Sequence, residues 1–153
     1  MTLLLLGVNH ETAPVALREA LARVIPDLGE AYRALGTWPE ISELMLYSTC
    51  NRVELLCVTE DPAGAESHVK GFFSRHPEVP PEALEASVYV RLDRDAVQHL
   101  FRVAASLDSM VLGEPQILGQ IKEAYRQATE HQATGAILNR LLHKSFSVAK
   151  KVR

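Results

Sequence analysis

The sequence predicts an α+β fold: a ferredoxin-like, split βαβ unit with a four-stranded antiparallel sheet, followed by a helical C-terminal part. Three observations carry this. Four short, largely apolar segments, near residues 3–8, 43–47, 53–59 and 87–92, read as strands. The intervals between the first and second, and between the third and fourth, are long enough for helical crossovers, while the second and third are separated only by Ser48–Arg52. Beyond Leu92 the pattern turns to helical spacing and stays there.

The elements follow in order. Leu3-Leu-Leu-Leu-Gly-Val is a buried strand, with no basic stretch before it and no small-residue cleavage site after it, so it does not read as a signal peptide. Asn9 to Pro14 is a polar loop, and Pro14 suits the entry to a helix over Val15–Val24. Pro26 breaks that helix; Asp27 caps a second one through Leu35, which Gly36 ends. Strands over Glu43–Tyr47 and Val53–Thr59 flank the hairpin-like Ser48–Arg52 interval. A turn at Asp61–Gly64 leads into a helix over Ala65–Arg75. Pro77, Pro80 and Pro81 mark a loop, and Ser87–Leu92 alternates as the fourth strand. Asp93 caps a helix to Leu107, Pro115 opens one to His131, and a last one runs from Ala136 to Arg153. Residues 1–92 therefore form the expected sheet core, 93–135 a helical part, and 136–153 the start of a long connecting helix, whose lack of a terminating cap suggests a piece of a longer chain.

A composition 47% hydrophobic and 23% charged excludes a disordered chain, and a formal charge of −3 leaves nucleic-acid contact to a local patch. No stretch approaches the ~20 apolar residues of a membrane span, and two unspaced thiols suit a reducing, cytoplasmic compartment. The basic residues of the final helix, Lys144, Lys150, Lys151 and Arg153, read as a solvated face.

Chemistry concentrates around Cys50, in Ser48-Thr-Cys-Asn-Arg52 at the junction of two strands. Thiolates attack acyl carbons, and nearby positive charge favours them. Arg52 could supply that charge or grip a substrate carboxylate with its planar fork. Thr49 and Asn51 add hydrogen-bonding groups. Cys57, inside Leu-Leu-Cys-Val, reads as a small core hydrophobe. On the loop alone, an inert thiol is the default for Cys50 too. His99 lies off the Val97, Leu100, Phe101, Ala104 stripe, so its bland reading is solvent exposure and its sharper one a pocket role in acid/base chemistry or positioning. Gln116 and Gln120 share a helix face behind Glu114-Pro115 and could line a polar pocket. Asn9-His10-Glu11-Thr12 is a further polar cluster; lacking the second histidine of His-Glu-x-x-His, it is not read as a metal site.

Taken together, these segments resemble the glutamyl-tRNA reductase family. Its opening is similar to Gly7-Val-Asn-His-Glu-Thr-Ala-Pro14, its cysteine motif to Ser48-Thr-Cys-Asn-Arg-Val-Glu54, and its third signature to the run from His99 to Gln120. One departure is Ser106, where the family pattern has glycine. The resemblance implies that Cys50 attacks the ester of glutamyl-tRNA to leave a thioester, which NADPH reduces to glutamate-1-semialdehyde for tetrapyrrole synthesis. It implies a catalytic supporting role for His99, a carboxylate clamp in Arg52, a glutamate pocket of Thr49, Asn51, Ser109, Glu114, Gln116 and Gln120 shaped by Pro115, and pocket support from Asn9 and His10. It also implies a homodimer, glutamate-1-semialdehyde aminomutase as a partner, and no metal. No Gly-x-Gly-x-x-Gly occurs here, so NADPH is expected to bind outside these residues. The competing readings are a cysteine-dependent acyl hydrolase or transferase using Cys50 and His99, an RNA-binding ferredoxin-like module using Tyr47 and Tyr89, and a structural domain with an inert cysteine.

Overall fold

The computed structural model describes residues 1–25, 27–107 and 116–152. Four strands, β1 (Thr2–Asn9), β2 (Ile41–Ser48), β3 (Arg52–Thr59) and β4 (Tyr89–Leu92), form one sheet in the order β2-β3-β1-β4. Every neighbouring pair is antiparallel. This is the split βαβ arrangement expected from the order of elements. The first crossover carries α1 (Val15–Arg23) and α2 (Leu28–Leu35); the second carries α3 (Pro62–Ser74) and α4 (Pro81–Ser87). Three helices follow β4: α5 (Asp93–Ala104), α6 (Gln116–Glu130) and α7 (Ala136–Val152). The crossover helices pack on one face of the sheet and α5–α7 on the other. Covering on both faces explains why all eight residues of β3 are buried, Arg52 and Glu54 included.

Local chemistry accounts for most boundaries. The Asp27 carboxylate accepts from Glu30 N–H to cap α2, and Asp61 does the same for Gly64 N–H at the start of α3. Edge strand β2 would leave outward N–H groups unpaired; Leu44 N–H donates to Ala133 O, and Leu46 N–H to the Tyr32 hydroxyl oxygen. Glu43, buried on β2, takes three N–H groups at the start of α7: Gly135 at 2.7 Å, Leu138 at 2.8 Å and Ile137 at 3.3 Å. A carboxylate against the positive end of a helix is well placed. Gly135 makes the approach possible, since a Cβ there would sit 2.9 Å from the Glu43 carboxyl carbon.

Two local expectations are corrected and a third gains a reason. The proline-rich stretch after Arg75 holds a helix, α4, which extends through Ser87 and shortens the fourth strand to Tyr89–Leu92. Pro80 and Pro81 sit at its first turn, where a missing N–H costs nothing. Asp93 does not cap α5: Leu92 holds the cap position, while the Asp93 carboxylate accepts from Leu3 N–H across the sheet. The expected small residue at position 106 has a conformational cause. Ser106 has φ 65°, the left-handed region where glycine is the natural occupant. Among the described residues no helix is long and apolar enough to cross a membrane.

Candidate active site

The β2–β3 connection is a two-residue loop. Thr49 N–H donates to Arg52 O at 2.8 Å, leaving Cys50 and Asn51 at the tip. Neither tip residue has the positive φ that tight hairpins favour. The turn is held by side chains instead. Thr49 Oγ1 accepts from Asn51 N–H and Arg52 N–H, both at 3.2 Å, the local pattern by which threonine competes with regular pairing. From outside, Arg18 of α1 donates through Nη1 to Cys50 O at 3.0 Å and through Nε to Ala13 O. Cys50 is thus exposed at a tethered hairpin tip. Cys57 is its opposite, fully buried in β3, with burial pushing its thiol up to about 12.

Cys50 lines a small cavity of about 40 Å³ together with Thr49, Asn51, Arg52, Gln116, Ile117 and Gln120. That volume suits roughly one water molecule. Thr49, Gln116 and Gln120 also line an open groove of about 660 Å³, which runs along the β2 edge between α1 and α6 past Ser48, Glu123 and Gln127. The glutamines, far from Cys50 in sequence, therefore form the wall between the thiol's cavity and the groove. Of the residues singled out from sequence, Thr49, Cys50, Asn51, Arg52, Gln116 and Gln120 come together here. Gly119 lines the groove with open space around its Cα, so it serves no close backbone approach. Ser109, Glu114 and Pro115 lie outside the described residues.

Behind the cavity is a polar row that the sequence reading missed. Register places Tyr47 opposite Glu54, Glu54 opposite Gly7, and Gly7 opposite Tyr89, so one line crosses all four strands. Directly opposed residues share a face. Gly7 contributes no side chain, and a Cβ there would lie 2.6 Å from Glu54 Cγ. The gap lets the Glu54 carboxylate be reached from both sides: Tyr47 donates its hydroxyl to Oε1 and Tyr89 donates to Oε2. Two cationic or protonatable groups complete the cluster. Arg52 Nη1 stands 3.3 Å and His99 Nε2 2.5 Å from Glu54 Oε2. All five side chains are buried, Glu54 completely and Arg52 to within 2%.

This cluster changes the picture of His99. Its helix face is buried, with Ala96, Leu100 and Val103, and the ring rests near Tyr89. Neither solvent exposure nor a place in the Cys50 cavity describes it; it stands behind Arg52, joined through Glu54. The visible signal was Glu54 itself, a lone carboxylate inside the apolar run Val53–Val58, whose burial implies partners. Tyr47 and Tyr89 are not an exposed aromatic platform either, which removes the feature a sheet-face RNA binder needs.

Asn9 and His10 have local roles in what is described. The Asn9 side chain accepts from Glu11 and Thr12 N–H groups and so shapes the loop that enters α1. Its backbone pairs with Arg52 at the end of the β1–β3 ladder. His10 lies beside Glu11 at 3.6 Å and lines neither cavity.

Comparison with known proteins gives a consistent result. The family model described as Glutamyl-tRNAGlu reductase, N-terminal domain, matches residues 6–153. The chain is 50% identical over its whole length to glutamyl-tRNA reductase of Desulfatibacillum aliphaticivorans and 48% identical to that of Citrifermentans bemidjiense. In each case it spans 35% of the relative's length. The solved structure of glutamyl-tRNA reductase from Methanopyrus kandleri superposes with a TM-score of 0.75 at 28% identity, covering 99% of this chain and 34% of that one.

Proposed function

Because the chain belongs to the glutamyl-tRNA reductase N-terminal domain family, we propose that Cys50 is the nucleophile that takes the glutamyl group from glutamyl-tRNA. The observation that carries this reading is the placement of Cys50, exposed on a tethered two-residue tip and facing Gln116 and Gln120 with Arg52 behind them. The sulfur attacks the glutamyl carbonyl carbon, the ester C–O bond breaks, and the terminal ribose oxygen of the tRNA leaves with a proton. The product is a thioester on Cys50, which stays open to attack by hydride. A water-sized cavity cannot hold a glutamyl group, so the substrate enters from the groove, and Gln116 and Gln120 swing to admit it.

Arg52 presents its fork to the substrate's side-chain carboxylate, supported by Glu54, while Thr49, Asn51, Ser109, Glu114, Gln116 and Gln120 supply neutral and acidic partners for the rest of the group and Pro115 shapes their segment. His99 acts as a positioning residue through Glu54. This arrangement disfavours a Cys50–His99 hydrolase, since His99 Nε2 is directed at Glu54 and His99 does not line the cavity of Cys50.

NADPH, the hydride source that turns the thioester into glutamate-1-semialdehyde, does not fit these residues. Among the described residues every strand neighbour is antiparallel, so the parallel-sheet crevice of a dinucleotide site is missing, and the sequence has no glycine fingerprint. We assign NADPH to the remainder of a reductase about three times this length, together with the homodimer contact and any docking of glutamate-1-semialdehyde aminomutase, all in the cytoplasm.

The test is intact-mass spectrometry after mixing the chain with glutamyl-tRNA and quenching in acid. A glutamyl adduct on Cys50, absent from Cys50→Ser, is the expected result. Wild-type protein that stays unmodified while the tRNA remains charged would sink the proposal.

A further inference from the structure

The charge of this chain is divided unevenly. No Asp or Glu follows Glu130, while Arg140, Lys144, Lys150, Lys151 and Arg153 do. The acidic remainder more than offsets them, giving the overall −3. Folding then adds Lys122 of α6 to the basic end. Lys122, His143, Phe146, Lys150 and Lys151 line one open depression of about 450 Å³, with the Lys122 ammonium 5.7 Å from the centre of the Phe146 ring.

Four cations elsewhere are neutralised by neighbouring carboxylates: Arg23 by Glu78, Lys70 by Glu66 and Glu85, Arg75 by Glu30, and Arg126 by Glu123 and Glu130. Among the described residues Lys122, Lys150 and Lys151 are exposed and none has a carboxylate partner. An uncompensated cationic surface on an otherwise acidic molecule attracts a polyanion.

Its position selects the polyanion. Gln116, Gln120 and Glu123 turn one side of α6 toward the groove beside Cys50, and Lys122 lies on another side of the same helix. The two surfaces are separated by about one helix diameter, ~10 Å, which a nucleic-acid strand spans in roughly three phosphates at ~3.4 Å each.

We propose that the Lys122–Lys150–Lys151 face binds the phosphodiester backbone of the substrate tRNA near its acylated end. This rests on the reading that the chain acts on glutamyl-tRNA. The lysines give affinity without sequence choice, and the half-buried Phe146 offers an apolar floor between them.

Fluorescence anisotropy with deacylated tRNA tests the face without any ester chemistry. Lys122→Gln/Lys150→Gln is compared with a charge-matched control, Arg33→Gln/Arg94→Gln, at exposed positions outside the face. The first double variant should bind about tenfold more weakly near 0.1 M salt, with the slope of log Kd against log salt reduced by about 2. The control should bind within about twofold of wild type. Equal losses in the two doubles, no loss in the first, or no binding of tRNA by the wild-type chain would each overturn the proposal. Wild-type chain that binds deacylated tRNA here, yet carries no glutamyl adduct after mixing with glutamyl-tRNA, would count against the proposed nucleophile and leave this face standing.

Discussion

At the scale of single residues, the decisive group is Glu54. Its carboxylate receives two phenols, a guanidinium and an imidazole in a place with no water-facing surface. Buried ion pairs are costly to assemble and costlier to break, because removing one partner strands the rest. Glu54→Gln keeps the shape but turns one acceptor into an NH2 donor facing groups that are themselves donors. The variant should lose about 3 kcal/mol of stability, which at this chain length is a fall in Tm of roughly 6–12 °C by calorimetry. A Tm within ~2 °C of wild type would show that the cluster is not held by the carboxylate. The sequence displayed half of this arrangement. Cys50 and Arg52 were legible from their neighbours, since polar residues at a strand end stand out. His99 was misplaced because helical periodicity ranks positions by hydrophobicity, and a histidine buried against a carboxylate looks the same as one facing solvent. Gly7 was legible only as part of a motif; its reason, room for Glu54, is a cross-strand contact that no local pattern encodes.

At the scale of elements, the strand order followed from segment spacing alone, while two helices show where pattern reading ends. The proline stretch concealed α4 because prolines punctuate a chain from either side: they end one element and, at the first turn, open the next. The start of α7 at Ala136 was legible in the sequence, but its anchor is Glu43, which comes from β2 and could not be paired with α7 before the fold was known. Glu43→Ala should free three N–H groups at that helix start and cost about 2 kcal/mol. Hydrogen exchange offers the specific check. The amides of Gly135, Ile137 and Leu138 should exchange faster by more than the global loss of stability accounts for, while β3 amides follow the global loss alone. Unchanged protection at those three amides would contradict the anchor.

At the scale of the molecule, two helical layers enclose a sheet whose central strand is dry, and this has a consequence for alkali. Burial raises the Cys57 thiol from 9.0 to about 12 and the Tyr32 phenol from 10.0 to about 12. Both groups stay protonated in the folded chain while they ionise in the unfolded one. The unfolded state therefore binds fewer protons above pH 9, and stability falls as pH rises from there toward 12. Each group contributes about 1.4 kcal/mol per pH unit once its unfolded form is ionised. Urea midpoints should drop steadily between pH 9 and 11, and less steeply in Cys57→Ala; a flat profile would refute the assignment. Strand β2 links features that have been treated separately. One end of it grips the first turn of α7 through Glu43, and the other end becomes the hairpin that carries Cys50. From Glu43 to Ser48 an extended chain covers roughly 17 Å, stiffened by the β3 ladder along its length. The start of α7 and the tip that carries the sulfur are thus held to opposite ends of a single strand, and their spacing is set by its length.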